Sequence, residues 1–183
     1  QLHVHNAHVR EEGLGRRWQY TATELRESVV GILGLGLIGQ RLAEYLDAFG
    51  ADVRAHDPYV EESVAADLGV DLVDLDSLLE SADFLSIHTP LTEETHHMLD
   101  EEQFRRMKDA AYLVNAARGG IYPDAALAAA IEEEWIAGAA VDVFEDEGDI
   151  TDNPLLALDE DQALLTPHSL GSTSRQSKQR THD

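Results

Sequence analysis

Ser28-Val29-Val30-Gly31-Ile32-Leu33-Gly34-Leu35-Gly36-Leu37-Ile38-Gly39-Gln40 reads as a strand that runs into a glycine turn and then into a helix. Val29, Val30, Ile32 and Leu33 form the short apolar run that a strand buried on both faces requires. Gly34, Gly36 and Gly39 follow in G-x-G-x-x-G spacing. In that spacing the first glycine permits the tight turn, the second lets the backbone approach a pyrophosphate, and the third lets the helix pack closely on the strand. Ile38, Leu42, Tyr45, Leu46 and Phe49 then recur at helical spacing as one apolar stripe, and Gly50 ends the helix. The first helical turn offers free N–H groups and the positive end of a dipole to an anion.

Methyltransferases and chance turns also produce such a glycine pattern, so its surroundings decide its meaning. Asp52-Val53-Arg54-Ala55-His56-Asp57-Pro58 is a short strand that ends on an acidic residue 18 positions beyond Gly39. A ribose-binding carboxylate of a dinucleotide site belongs at that distance. Asp57 would accept hydrogen bonds from the adenosine ribose and repel a 2′-phosphate, which favours NAD over NADP.

Composition narrows the classes further. A chain of 183 residues can bury the core of one domain. It has no cysteine, which excludes disulfides, thiolate metal sites and a cysteine nucleophile. No apolar run approaches the roughly 18 residues of a membrane span, and Gln1-Leu2-His3-Val4-His5 is unlike a signal peptide. The expectation is a soluble cytoplasmic protein. Thirty-six acidic residues against thirteen Lys and Arg give a formal net charge of −23, and Lys108 and Lys178 are the only lysines. Such a surface is a poor partner for nucleic acid or an anionic membrane. Its composition resembles that of proteins from salt-loving organisms.

Residues 1–27 precede the first strand, with a glycine interruption at Gly13-Leu14-Gly15. His3, His5 and His8 do not have the spacing of a helical zinc site, so solvated histidines on a helix are expected, and no metal. Beyond Asp57 strands and helices alternate. Helices are predicted over Glu61–Leu68, Asp100–Met107 and Tyr122–Trp135, with a helical turn over Leu75–Leu79. Strands are predicted over Val70–Val73, Phe84–His88, Ala111–Asn115, Ala137–Phe144 and Ala163–Thr166. That alternation predicts an α/β, doubly wound parallel sheet of Rossmann type in a single domain.

Ligands of an open parallel sheet bind beyond the carboxyl ends of its strands. The polar residues just past those ends are the glycine turn, Asp57, Thr89, Arg118, the segment from Asp142 to Glu147, and His168. An arginine, a carboxylate and a histidine beside a dinucleotide suffice for hydride transfer to a carbonyl. The chain also resembles a known family at five places in order: Gly34-Leu35-Gly36-Leu37-Ile38-Gly39, His88-Thr89-Pro90-Leu91-Thr92, Val114-Asn115-Ala116-Ala117-Arg118-Gly119-Gly120, Gly138-Ala139-Ala140-Val141-Asp142-Val143-Phe144 and Thr166-Pro167-His168. Together they resemble the NAD-binding domain of the D-isomer-specific 2-hydroxyacid dehydrogenases, a family that includes D-3-phosphoglycerate dehydrogenase and the glyoxylate and hydroxypyruvate reductases.

By that resemblance Arg118 pairs with the substrate carboxylate and polarises its carbonyl, a task suited to a planar fork of donors. His168 is the general acid and base, and Glu147 is its acidic partner. A carboxylate on the far ring nitrogen fixes the tautomer and favours the proton-carrying ring. Glu145, Asp146 and Glu147 form an acidic run, and Gly148 stands where the family usually has proline, which leaves Glu145 as a rival for the role. Glu147→Gln is therefore expected to weaken proton delivery and Glu145→Gln to spare it. For NAD, the resemblance implies backbone contacts from Gly34, Gly36, Leu37, Ile38 and Gly39, with Asp57, Thr89 and Pro90 on the adenosine side. It implies Ala116, Ala117, Arg118, Asp142, His168 and Gly171 near the nicotinamide, with Asp142 holding the carboxamide. Leu37 occupies a position that is often arginine in the family, which removes one phosphate contact.

The resemblance further implies that residues 1–27 belong to an interdomain connection, that residues 172–183 begin a helix returning to a substrate domain, and that the substrate domain lies outside this chain. It implies a homodimer formed through this domain. An alternative within the same fold is a non-catalytic NAD(H)-sensing module. The combination of Arg118, Glu147 and His168 favours the enzyme, and formate dehydrogenase is disfavoured because it typically carries glutamine at the position of Glu147.

Overall fold

A computed structural model describes residues 2–14 and 22–171 of the chain. The expectations for residues 15–21 and for a return helix over 172–183 lie outside the described residues. One helix, α1 (Leu2–Glu12), comes first. Seven strands follow: β1 (Val29–Leu33), β2 (Asp52–His56), β3 (Asp71–Leu72), β4 (Phe84–Ile87), β5 (Tyr112–Asn115), β6 (Gly138–Val141) and β7 (Ala163–Leu165). They form one sheet in the order β3-β2-β1-β4-β5-β6-β7, parallel throughout. Parallel neighbours need crossover connections. Helices supply most of them: α2 (Leu37–Phe49), α3 (Glu62–Asp67), α4 (Leu75–Ser81), α5 (Glu101–Phe104) and α6 (Asp124–Glu132). Strands β1 to β3 step outward in one direction and β4 to β7 in the other, so β1 beside β4 is the switch point where such sheets bind ligands. The predicted doubly wound sheet is the fold observed.

Both faces of the sheet are covered, as β1 shows residue by residue. Val30 and Ile32 join Ala43 and Leu46 of α2 and Val53 and Ala55 of β2 in one core. Leu33 joins Leu78 and Leu79 of α4 and Leu85, Ile87 and Leu113 in the other. Each such fully buried aliphatic side chain contributes on the order of 1.5–3 kcal/mol. Gly31 faces α4, where an added Cβ would lie 3.1 Å from Ala82 and 3.2 Å from Leu78. The helix therefore sits close to β1 because that position has no side chain.

Several element ends differ from the sequence reading. Helix α5 stops at Phe104 rather than Met107, although Asp100 and Gln103 form a capping box at its start. Helix α6 begins after Pro123, which serves as N-cap. Tyr122 lies in the core with its ring edge-on to Phe104, and Glu134 in the left-handed conformation (φ 58°) turns the chain out before Trp135. Strand β6 ends at Val141, and the chain then bends so that Gly119 can approach Phe144; a Cβ at Gly119 would lie 1.7 Å from the Phe144 carbonyl oxygen. Gly50 ends α2 at φ 73°, as expected. The apolar stripe of α2 divides, however. Leu46 is buried, Leu42 is half-buried, and Ile38, Tyr45 and Phe49 are 70%, 59% and 65% exposed. On α1, His5 and His8 are half-buried rather than fully solvated.

Candidate active site

The glycine turn joins β1 to α2 at the switch point. Gly34 has φ 96°, and a Cβ there would lie 2.9 Å from backbone atoms of His88 and Thr89. Gly39 is equally constrained, since its Cβ would lie 2.3 Å from the Gly34 carbonyl oxygen. Gly36, the N-cap of α2, is different: nothing lies within 4 Å of a Cβ built on it. That leaves open ground through which an incoming group could reach the backbone. Leu37 and Ile38 begin the helix, and an α-helix has no internal acceptors for the N–H groups of its first turn. The side chain of Leu37 is 89% exposed, so it contributes backbone rather than packing.

Asp57 follows β2 and holds this turn in place. One carboxylate oxygen accepts the Leu35 N–H at 2.8 Å, and the other accepts the Tyr59 N–H at 2.9 Å. A cleft of about 620 Å³ opens beside it, lined among others by Gly34, Gly36, Asp57, Thr89 and Pro90. Thr89 Oγ1 is buried there without a hydrogen-bond partner among the described residues. A buried hydroxyl left unpaired costs about 1–3 kcal/mol, so a ligand that satisfies it binds more tightly. Across the cleft the Tyr59 hydroxyl donates to Glu94, and this bond raises the Tyr59 pKa. His88 lies on the same wall, its Nε2 2.9 Å from Ser86 Oγ, and burial lowers its pKa. A free N–H turn, an unpaired hydroxyl and a carboxylate after β2 fit a dinucleotide, with the pyrophosphate at the turn and the ribose at Asp57.

The remaining predicted residues follow β5, β6 and β7, three adjacent strands, along one rim of the sheet. After β5, the side-chain carbonyl of Asn115 accepts the Ala117 N–H at 3.0 Å and its amide donates to the Arg118 carbonyl at 3.0 Å. This shapes the loop of Ala116, Ala117 and Arg118. The Arg118 guanidinium is exposed, donates to the Ala117 carbonyl at 2.6 Å and has no carboxylate partner among the described residues. After β6, buried Asp142 reaches into the segment after β7. It accepts from Thr166 Oγ1 at 2.5 Å, from the Ser169 N–H at 2.9 Å and from the Leu170 N–H at 3.0 Å. Burial opposes its charge, but these bonds and the nearby His168 outweigh burial and hold its carboxyl below the ordinary value.

His168 sits inside that clamp with φ 48°, a conformation uncommon outside glycine. Its Nδ1 lies 2.9 Å from the Glu147 carboxylate, so Nε2 is left for another partner. The rival acid, Glu145, is engaged elsewhere, 2.6 Å from His97 Nε2. Asp124, buried at the start of α6, accepts the Glu145 N–H at 3.1 Å and the Asn153 amide at 2.6 Å, and burial pushes its pKa up. Gly171 closes the described segment in a turn, and no atom of the described residues lies within 4 Å of a Cβ built on it. The structure thus brings Gly34, Gly36, Asp57, Thr89 and Pro90 to one cleft, and sets Ala116, Ala117, Arg118, Asp142, Glu147 and His168 along the neighbouring strand ends.

Sequence reasoning did not assign roles to Asn115, Thr166, Tyr59 or Glu94. The first two are polar residues at or just past strand ends, the rule that found Arg118 and His168, and so were within reach. Tyr59 and Glu94 meet from loops 35 positions apart, and no local pattern pairs them.

Known proteins resemble this chain in sequence and in fold. Residues 1–169 match the model of the D-isomer specific 2-hydroxyacid dehydrogenase, NAD binding domain. The chain is 44% identical over 163 residues to D-3-phosphoglycerate dehydrogenase of Archaeoglobus fulgidus, covering 89% of this chain and 31% of that protein. It is 46% identical over 151 residues to glyoxylate reductase of Korarchaeum cryptofilum, covering 82% and 45%. The fold superposes on D-lactate dehydrogenase from Aquifex aeolicus complexed with NAD and lactic acid with a TM-score of 0.89 at 34% identity, covering 97% of this chain and 57% of that one. The chain thus spans less than half the length of these curated relatives. With the family model matched over nearly its whole length, the chain belongs to the D-isomer-specific 2-hydroxyacid dehydrogenase family, as its NAD-binding domain.

Proposed function

We propose that this chain is the cofactor-binding and proton-handling domain of an NAD-dependent oxidoreductase acting on D-2-hydroxy acids and the corresponding 2-oxo acids. The observation that carries this is the His168–Glu147 contact inside the Asp142 clamp. Bound NAD supplies or accepts the hydride. His168 uses Nε2 to give a proton to the substrate carbonyl oxygen in reduction and to remove it in oxidation. Glu147 fixes the tautomer through Nδ1 and stabilises the protonated ring. Arg118, without an acidic partner among the described residues, binds the substrate carboxylate and draws electron density from the carbonyl. Asp142 holds the segment from Thr166 to Leu170, which keeps His168 at the rim, and its second oxygen retains capacity for a carboxamide N–H. Ala116, Ala117 and Gly171 leave room for the nicotinamide, and Leu37 and Ile38 offer N–H groups to the pyrophosphate.

A homodimer formed through this domain is the second part of the proposal. Exposed Ile38, Tyr45 and Phe49 on α2 support it, since they form one apolar face at helical spacing. The test of the enzyme assignment is NADH fluorescence and consumption in molar potassium chloride with glyoxylate, hydroxypyruvate and phosphohydroxypyruvate. Binding with consumption of one acid is the expected result for the complete site. Binding by this chain without consumption, with turnover appearing once a substrate domain is supplied, agrees with it too. Binding that never leads to turnover would favour a sensor, and absence of binding would overturn the assignment.

A further inference from the structure

His96, His97 and Glu145, the last on the same loop as Glu147, bring one ligand atom each to within 4.8 Å of one another. None of the three lines the cofactor cleft. We propose that they form a site for a divalent transition-metal ion of the zinc type, which ties the loop after β4 to the loop after β6.

Adjacent residues in an extended chain point to opposite sides. Here His97 adopts φ 52°, which folds the chain so that the two imidazole rings stack with centroids 3.8 Å apart. A non-glycine residue in that conformation is uncommon. The backbone on each side of the site is fixed independently of any ligand. His96 N–H donates to the Thr92 carbonyl at 2.9 Å, His97 N–H to the Gly120 carbonyl at 2.9 Å, and Glu145 N–H to buried Asp124 at 3.1 Å. Glu145 already reaches His97 Nε2 at 2.6 Å. Zinc bound to nitrogen and carboxylate oxygen at about 2.0–2.2 Å requires ligand atoms about 3.3 Å apart in a tetrahedron, with water in the fourth place. His96 and Glu145 are exposed and His97 half-buried, so side-chain rotation is free to narrow separations of up to 4.8 Å and to open the 2.6 Å His97–Glu145 contact to that spacing. Two imidazoles and one carboxylate suit zinc, cobalt or nickel rather than magnesium or calcium.

The test uses the tag-free chain, stripped with a chelator, titrated with Zn²⁺ by calorimetry and with Co²⁺ by visible absorption. The expected result is one equivalent bound, with nitrogen-ligand d–d bands for cobalt and a higher melting temperature with metal. His96→Ala, His97→Gly and Glu145→Gln should each weaken binding about tenfold or more. Glycine accepts φ 52° without strain, so His97→Gly removes the ligand and preserves the turn, and its unfolding curve without metal verifies the fold. The variant His168→Ala and the double variant His5→Ala/His8→Ala should bind metal as the parent does. The proposal is overturned by parental binding in His96→Ala and His97→Gly, by loss of binding in His168→Ala or in the double variant, or by a parental Kd weaker than about 1 mM.

Discussion

His168 has two carboxylates around it with different tasks. Glu147 touches its ring, while Asp142 touches only the backbone and hydroxyl of the segment that carries it. Removing the ring should therefore affect chemistry without affecting cofactor binding. His168→Ala is expected to lower hydride transfer by about 10²–10⁴-fold, with NADH affinity by fluorescence titration unchanged. Glu147→Gln keeps the shape but loses the charge, so kcat should fall while NADH affinity holds, and Glu145→Gln should leave kcat intact. Equal losses from Glu145→Gln and Glu147→Gln would reject the assignment. Asp142 is tested by acid. Its folded pKa lies below the unfolded value, so the charged group stabilises the fold above about pH 4 and that contribution is lost as pH falls through the folded pKa. Asp142→Asn should cost about 1–3 kcal/mol at pH 7, because the hydrogen bonds from Thr166, Ser169 and Leu170 lose a charged acceptor. It should also flatten the loss of stability below pH 4, as measured by urea unfolding at pH 7 and pH 3. The placement of Arg118 and His168 just past strand ends was legible because each lies in a motif that follows a strand, whereas Glu147 lies three residues beyond such a motif and was reached only through the family resemblance. The clamp at Asp142 was not legible, because its partners lie 24 to 28 positions away and only the sheet brings them together.

The glycine turn separates structural from functional glycine within one element. Gly39→Ala places a methyl group 2.3 Å from the Gly34 carbonyl oxygen, so it should shift α2 off β1 and lower thermal stability by at least about 1–3 kcal/mol. Gly36→Ala meets no atom within 4 Å, and φ −76° suits alanine, so the fold should keep its melting temperature. NADH affinity should still fall about tenfold or more, because the methyl occupies ground that the pyrophosphate needs. Loss of stability in Gly36→Ala, or undiminished NADH binding, would remove the turn from the cofactor site. The order of strands and helices was legible from apolar runs and glycine punctuation. Element ends were not, because they are set by long-range contacts such as Gly119 against Phe144 and by the left-handed Glu134. Periodicity likewise marked the stripe on α2 but could not show that Tyr45 and Phe49 face outward. If that face joins two copies, Phe49→Asp should convert a dimer to a monomer in sedimentation equilibrium while NADH still binds.

At the scale of the molecule, charge sets the conditions under which all this holds. The formal net charge is −23, and the basic side chains that form ion pairs do so largely with near neighbours, as in Arg41–Glu44, Arg105–Glu101 and Arg106–Glu102. Pairs of that exposed kind contribute about 0–1 kcal/mol each and weaken with salt. The unpaired excess repels itself, more strongly in the compact state than in the expanded chain. These effects oppose each other as salt is added, and their sizes decide the outcome. The Debye length falls from about 10 Å at 0.1 M to about 3 Å at 1 M, which removes most repulsion between separated carboxylates at the loss of a few weak pairs. For a domain of this size 1 kcal/mol moves the melting temperature by about 2–4 °C. Relief of ~2 kcal/mol of repulsion should therefore raise it by about 4–8 °C between low and molar potassium chloride, measured by thermal unfolding at pH 7. Sodium chloride should act alike if screening is the cause, whereas a rise with potassium alone would point to bound ions. A flat curve with either salt would mean that the carboxylates are spaced widely enough not to repel, and that the acidity serves solubility rather than stability.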